Sequence, residues 1–298
     1  MSPTYSALPN PWAEWHVWHK LRHVSHLFVT GDVGCDQTLS TYYGITPWHA
    51  TSLWEDLCER GRAYSEAEAA TVFGQLTQIL QQLQTHQLWH RHVTLHTLLL
   101  VDDELGDSSS STGWTSKRPR LEAPKATQRS IKLSKHGWAL PVGGETTTTS
   151  TNRIPPPPCT IPPMYVAPEW FLWSSSETTT EPMETQNDNQ SNPQSLYALD
   201  IWSVGICLLT LLVGPPPSAD SDSASSVKSL WFAAPIPEDP NFVQLHTRLD
   251  KWYGKLWSPE LLQLLHGLLQ VNPHERWTLE QILQHQWGSK SNTATTAS

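Results

Sequence analysis

The chain has 298 residues, enough for one or two domains with a sizeable core. Nineteen Lys and Arg against 28 Asp and Glu give a net charge of −9, which argues against sequence-independent nucleic-acid binding, since that needs clustered cations. The cysteines Cys35, Cys58, Cys159 and Cys207 are scattered with no C-x-x-C. Neither a zinc site nor a disulfide framework is signalled, and reduced thiols in an intracellular protein are expected.

Residues 1–10 carry no basic start and no apolar core, so a disordered tail is expected rather than a secretory signal. Pro11 opens a helical pattern through His23, with Trp12, Trp15 and Trp18 at three-residue spacing. Two β-like runs follow, His26–Val33 and Thr38–Ile45. Helix, strands and turn make residues 11–50 one small unit. A short helix, Ser52–Arg60, stops at Gly61. Ser65 and Glu68 form a capping box for a long helix to His86, with Val72, Leu76, Ile79, Leu80 and Leu83 on one face. That helix delivers the chain into Trp89–Leu100, W-H-R-H-V-T-L-H-T-L-L-L.

Residues 104–128 hold a serine run and K-R-P-R at 117–120, read as a disordered insertion with a weak nuclear-import signal. Ser130–Leu140 resumes as strand and turn. Residues 144–160 and 174–194 are two further low-complexity insertions expected to be disordered. Between them stands Ala167-Pro168-Glu169. Tyr197–Val213 is an apolar helix stopped by Gly214 and three prolines. Its apolar run, Ile201–Val213, is too short to cross a bilayer and reads as a buried helix, so no membrane contact is expected. Helices are predicted at Asn241–Trp252, Ser258–Val271 and Thr278–Trp287, the last with Thr278 and Gln281 as a capping box. Residues 288–298 form a second disordered tail.

Trp89–Leu100 resembles the catalytic loop of protein kinases, which reads His-Arg-Asp, a spacer, Lys, two residues, Asn, then an apolar strand. His90 and Arg91 match that pattern. His92 falls at the catalytic Asp, Thr94 at the Lys and Thr97 at the metal-binding Asn. Lys135-His136-Gly137 stands where kinases carry Asp-Phe-Gly, and Ala167-Pro168-Glu169 as Ala-Pro-Glu. Asp200 begins the family's central helix, and Asn272-Pro273-x-x-Arg276 resembles the end of a Ser/Thr-type domain of the calmodulin-dependent branch. The implied fold is α+β and protein-kinase-like, with a mostly helical C-terminal lobe over 51–287 and a truncated small β N-terminal lobe over 11–50. The resemblance makes Asp200 the holder of the loop backbone, and Glu169 and Arg276 a buried ion pair, which persists only as a pair. Glu14 matches the helix Glu that pairs with a strand Lys. Only thirteen residues precede it, without glycine or lysine, so the phosphate-covering loop and that Lys are expected to be absent.

The chemical positions do not follow the family. Phosphoryl transfer needs a carboxylate to orient the hydroxyl and oxygen ligands to hold Mg²⁺. His92 could accept a proton, Thr97 offers one neutral hydroxyl, and Lys135 puts a cation at the principal metal-ligand position. His86, His90, His92, His96 and His136 lack a matched carboxylate or thiolate, so no metal site is predicted. No cofactor is expected, ATP and Mg²⁺ entering only if the domain is active. The expected function is that of a pseudokinase scaffold or binding module. The alternatives are a weakly active Ser/Thr kinase using His92 as base and a truncated kinase fragment. A protein partner or a second copy is expected to cover the Trp12, Trp15 and Trp18 face. Cytoplasmic and nuclear locations stay equally open.

Overall fold

The computed structural model describes residues 11–36, 38, 41–47, 51–102, 129–142, 157–175, 193–215 and 230–287. Helix starts follow the side-chain caps. Ser52 accepts from the Glu55 N–H at 3.3 Å, and the Glu55 carboxylate accepts the Ser52 N–H at 2.7 Å, opening α2 (Leu53–Arg60). Gly61 closes α2 at φ 62°, a conformation that suits glycine. Ser65 and Glu68 repeat the reciprocal pair at the start of α3 (Glu66–Thr85). Replacing Ser65 by alanine is expected to cost about 1 kcal/mol, and replacing it by glycine only a few tenths. Equal losses for the two variants in urea unfolding would remove the cap from the account.

Near the N-terminus, α1 (Pro11–Leu21) runs into a 3₁₀ turn at Arg22–Val24. The first predicted strand is displaced. Strand β1 is Asp32–Asp36, paired antiparallel with β2 (Thr41–Ile45), while Leu27–Val29 follows another path. All three of those residues are buried, so the segment enters the core instead of the exposed hairpin. There the Val29 N–H donates to the Leu133 carbonyl at 2.8 Å, and the Leu133 N–H to the Leu27 carbonyl at 2.9 Å.

A three-stranded antiparallel sheet joins β3 (Thr51–Ser52), β5 (Leu98–Asp102) and β6 (Arg129–Leu133) in the order β3-β5-β6. Strands β4 (Leu88–Trp89) and β7 (Leu140–Pro141) pair on either side of the loop of interest. Sequence reading missed the polar hub at buried Asp56. It takes Arg60 Nε and the Tyr64 hydroxyl at 2.5 Å each, and Arg129 Nη1 at 2.8 Å, tying α2, the entry to α3, and β6.

The core is built around α5 (Pro193–Val213), four residues longer at its start than predicted. Leu196–Val213 is long and apolar enough to cross a membrane, but 89% of that stretch is buried inside the protein. Helix α4 (Pro168–Ser175) leads toward it, and α3 and α8 (Pro259–Leu268) pack against it. A Cβ on Gly205 would lie 2.7 Å from Leu269 Cδ2 and 3.0 Å from Leu268 Cβ, so a larger residue would force these side chains to shift.

Three predicted helices differ in extent. Asn241–Trp252 is two helices, α6 (Pro240–Val243) and α7 (Leu245–Tyr253), broken at Gln244, which leaves helical space at ψ 4°. Helix α8 stops at Leu268, and close by the Gly267 carbonyl accepts the Trp277 N–H at 3.0 Å. Helix α9 (Leu279–Gln284) is capped by Thr278 and Gln281 as expected, and ends where His285 turns extended.

The predicted disordered tails 1–10 and 288–298, the 104–128 insertion with its 117–120 basic run, and most of 144–160 and 174–194 lie outside the described residues. Ordered chain takes back residues 157–160, 174–175 and 193–194. Pro157 and Pro158 are buried, α4 runs on to Ser175, and α5 begins at Pro193.

Candidate functional site

The 89–97 loop is held from below by α5. Asp200 Oδ2 accepts the His90 N–H and Oδ1 the Arg91 N–H, both at 2.9 Å. These bonds fix Arg91 at φ 70°, in the left-handed region that non-glycine residues seldom adopt. Burial pushes the Asp200 carboxyl up to about 7, against the pull of those two donors and the Arg91 charge. Arg91 is itself drawn down to about 10 by burial. Its guanidinium lies 5.1 Å from the Trp89 ring centroid and donates to the Trp138 carbonyl at 3.4 Å.

Above the loop a chain of histidines runs through the core. His136 Nε2 lies 3.0 Å from the Val29 carbonyl, so that nitrogen carries the proton and Nδ1 accepts. His90 Nε2, at 3.2 Å, then donates to His136 Nδ1, and His90 Nδ1 accepts the His92 N–H at 3.3 Å. Every link is satisfied with both rings neutral. Burial accordingly holds His90 well below the ordinary imidazole range and brings His136 down to about 4. Glu14 of α1 completes this layer by accepting the His136 N–H at 3.1 Å, with the Gly137 backbone as a second donor. Burial raises the Glu14 carboxyl in spite of both. In place of a strand Lys, Glu14 thus grips the backbone of the Lys135–Gly137 turn.

The three chemical positions are occupied differently. His92 is buried, its Nδ1 has no partner among the described residues, and its Nε2 is 3.4 Å from Thr160 Oγ1. Burial, with the Lys135 charge second, brings His92 down to about 4. Buried Thr97 Oγ1 lies 2.9 Å from the His92 carbonyl and 3.0 Å from the Thr94 carbonyl, and accepts the Thr94 N–H at 3.0 Å. Thr94 is buried beside it, its Oγ1 3.4 Å away. Ser134 closes the loop, donating from Oγ to the Thr97 carbonyl at 2.8 Å. Lys135 is exposed at φ 60°, immediately before the buried His136 and Gly137.

The structure therefore gathers His90, Arg91, His92, Thr94, Thr97, His136 and Gly137 in one buried layer, backed by Glu14 and Asp200, with the exposed Lys135 at its edge. Ala167, Pro168, Glu169 and Arg276 form a separate brace. Arg276 Nη1 donates to Glu169 Oε1 at 2.7 Å and Nη2 to Oε2 at 2.9 Å, both side chains buried. Thr160 and Ser134 were not singled out from sequence. Thr160 lay in a stretch read as disordered, and no local pattern marks a lone serine at a strand end.

These residues do not suit a magnesium ion. Mg²⁺ takes oxygen ligands, mostly carboxylate, in near-octahedral geometry. Here the Thr97 hydroxyl is engaged by three backbone groups, and Lys135 brings a like charge. Among the described residues, no three His, Cys, Asp or Glu side chains converge to hold a metal.

The protein kinase domain family model matches residues 10–288. Calcium/calmodulin-dependent protein kinase type II subunit delta of Oryctolagus cuniculus is 24% identical over 249 residues, 83% of this chain and 34% of that protein. The type II alpha chain of Drosophila melanogaster is 24% identical over 238 residues, 79% of this chain and 33% of that protein. The chain thus spans about a third of the length of these curated relatives. The solved structure described as Rad53 kinase domain and SCD2 superposes with a TM-score of 0.55 at 16% identity, covering 95% of this chain and 77% of the other, a likeness of fold. With its family match running through both the brace and the loop, the chain belongs to the protein kinase domain family.

Proposed function

We propose that this domain is a pseudokinase, which transfers no phosphate and serves as a scaffold or protein-binding module. The observation that carries the reading is the cation of Lys135 at the place where kinases hold the principal metal ligand. Phosphoryl transfer depends on metal ions to neutralise developing charge, and a Lys in that place disfavours them. Thr97 supports the same reading, because its hydroxyl serves the loop backbone. Catalysis by His92 as base would require an accessible imidazole nitrogen near the substrate hydroxyl. The ring is enclosed, with Nε2 facing Thr160.

The test compares melting with millimolar ATP in the presence of EDTA or of Mg²⁺, beside phosphotransfer to a generic protein substrate. Magnesium is expected to add nothing to whatever ATP alone does, since a ligand stabilises only by binding the folded state. Substrate labelling is expected to stay at background. A magnesium-dependent shift accompanied by labelling would establish the active-kinase reading in its place.

A further inference from the structure

Two histidines meet where α7 packs on α8. His246 Nδ1 lies 2.7 Å from His266 Nδ1, and the rings stack at 4.8 Å between centroids with 19° between their planes. His246 Nε2 is 3.0 Å from the carbonyl of Leu269, the residue that ends α8. His266 Nε2 is 2.8 Å from Asp250 Oδ1. The contacts form one line from Leu269 through His246 and His266 to Asp250.

Helix periodicity brings these groups together. His246 and Asp250 are one turn apart on α7, each beside a core residue, Leu245 and Leu249. Their polar seam therefore runs along the apolar one. His266 stands in the last turn of α8, where the negative end of the helix dipole favours a cation.

Proton counting sets the charge of the pair. The carbonyl at one end and the carboxylate at the other only accept hydrogen bonds. Both Nε2 atoms must then carry protons, and the contact between the Nδ1 atoms needs a single one more. Three protons on two rings give one positive charge. With two protons, one of the three contacts sets lone pair against lone pair. With four, two N–H groups oppose each other across 2.7 Å. The count is unchanged if one of the three rests on Asp250. Burial, with the His266 charge second, holds His246 below the ordinary imidazole range, so the extra proton belongs to His266 beside the exposed Asp250. A metal ion does not account for the pair. Tetrahedral zinc, with bonds of about 2.0 Å, holds its ligand nitrogens about 3.3 Å apart, and no three metal-ligating side chains converge among the described residues.

The other charges nearby are committed or distant. On α7, Arg248 turns to Gln244 and Asn241, and Lys251 is exposed next to Asp250. Helix α6, packed on α7, has only its cap, Asp239, which accepts the N–H groups of Ala233 and Asn241. Glu260 lies in the first turn of α8, at the opposite end from His266. From α5, Asp200 is bound to the 89–97 loop. Asp250 is the one carboxylate paired with either ring among the described residues.

We propose that His246, His266 and Asp250 form a pH switch that fastens α7 to α8 while the two rings hold three protons and releases it when one is lost. The lost proton leaves either the His266 Nε2 lone pair facing the carboxylate or two Nδ1 lone pairs facing each other. Val243 on α6 and Leu256 just after α7 are exposed, so the switch governs the seating of an apolar surface. The inference does not depend on whether the domain transfers phosphate.

Histidine side-chain NMR of the intact chain in EDTA reads the protons, with the two rings assigned through His246→Gln and His266→Gln. At about pH 6 His246 should be neutral with its proton on Nε2, and His266 should carry both protons. At about pH 8.5 the pair should have lost one proton. Amide exchange in α7, corrected for its intrinsic pH dependence, should then be about tenfold faster than at pH 6, the scale for losing one charged hydrogen bond. Asp250→Asn separates the switch from a general effect of pH. Its amide can donate to His266 Nε2, which closes the line with both rings neutral. In that variant His266 should be neutral at about pH 6, and α7 exchange should be the same at both pH values. The Asp250 side chain is 63% exposed, so the variant should fold, and the parent spectra decide the proton count without it. Two neutral rings in the parent at pH 6, α7 exchange that ignores pH, or the same pH response in parent and Asp250→Asn would overturn the proposal. So would ring signals that differ with and without EDTA, which would make the pair a metal site.

Discussion

Replacing Arg276 by alanine is expected to destabilise the domain by about 3–5 kcal/mol, the range for removing one partner of a buried ion pair. Arg276 is 3% exposed and Glu169 2%. The guanidinium meets both carboxylate oxygens, donates to the Ala198 carbonyl at 2.7 Å and the Gln270 carbonyl at 3.0 Å, and lies 5.3 Å from the Trp202 ring centroid. Alanine would leave the Glu169 carboxylate charged and enclosed, with two backbone carbonyls also short of a donor. A small domain is stable by only about 5–15 kcal/mol, so the loss would take a large share of the total. Arg276→Lys should fall between parent and alanine, since an ammonium keeps the charge but cannot span both oxygens in the planar fork. Glu169→Leu combined with Arg276→Met should recover much of the alanine loss, because a buried pair is often replaceable by apolar groups of similar volume. Urea unfolding of the four proteins is the measurement. A loss below about 1 kcal/mol for Arg276→Ala would place this pair among solvent-screened surface bridges.

The brace could be anticipated only through the kinase resemblance, since Ala167-Pro168-Glu169 and Asn272-Pro273-x-x-Arg276 are the motifs that imply the pair and nothing local links residues 107 apart. The helix starts were readable without it: Ser52, Ser65 and Thr278 lie three residues before Glu55, Glu68 and Gln281, and the capping geometry is local. What could not be read depends on distant partners. Leu27–Val29 looks like a strand by composition, but its partner is Leu133, more than a hundred residues away. Helix α8 ends beside a tie to Trp277, which is invisible in its own periodicity.

Spacing put Glu14 at the helix Glu position and left it without the strand Lys; its carboxylate is taken by the backbone N–H groups of His136 and Gly137. The tryptophan face divides in the same manner. Trp15 faces outward, whereas Trp18 lies beneath the hairpin because a glycine stands opposite it at position 44. The Trp12 side chain lies outside the described residues. The variant suited to testing this surface therefore changes Trp15 and leaves Trp18 in place.

The second large effect is expected from acid. His136 is neutral in the folded chain, and burial has brought its pKa down from 6.5 to about 4. In the unfolded chain it would take up a proton near 6.5. Below that pH the unfolded state binds a proton that the folded state refuses, so stability falls as pH drops from about 6.5 toward 4. At 1.36 kcal/mol per unit, His136 alone should cost about 2 kcal/mol between pH 7.5 and pH 5. His92, also down to about 4, and His90 act in the same direction. Asp200 acts in the opposite one: its carboxyl, raised to about 7, takes a proton in the folded chain first and gains stability as pH falls.

The net slope of the parent therefore mixes opposing groups, and a single substitution isolates one of them. His136→Phe removes the titrating ring and keeps an aromatic side chain in the packed site near Phe28, whose ring centroid is 5.9 Å away. The variant loses the bonds to His90 and Val29 at every pH, which lowers its stability by an amount that does not titrate with His136. Relative to the parent it should gain about 2 kcal/mol between pH 7.5 and pH 5. Urea unfolding of both proteins at those two pH values reads the difference directly. If the stability gap is the same at both, His136 is not held neutral against its unfolded pKa, and the directional chain from His92 through His90 and His136 to Val29 does not describe the protonation of this core.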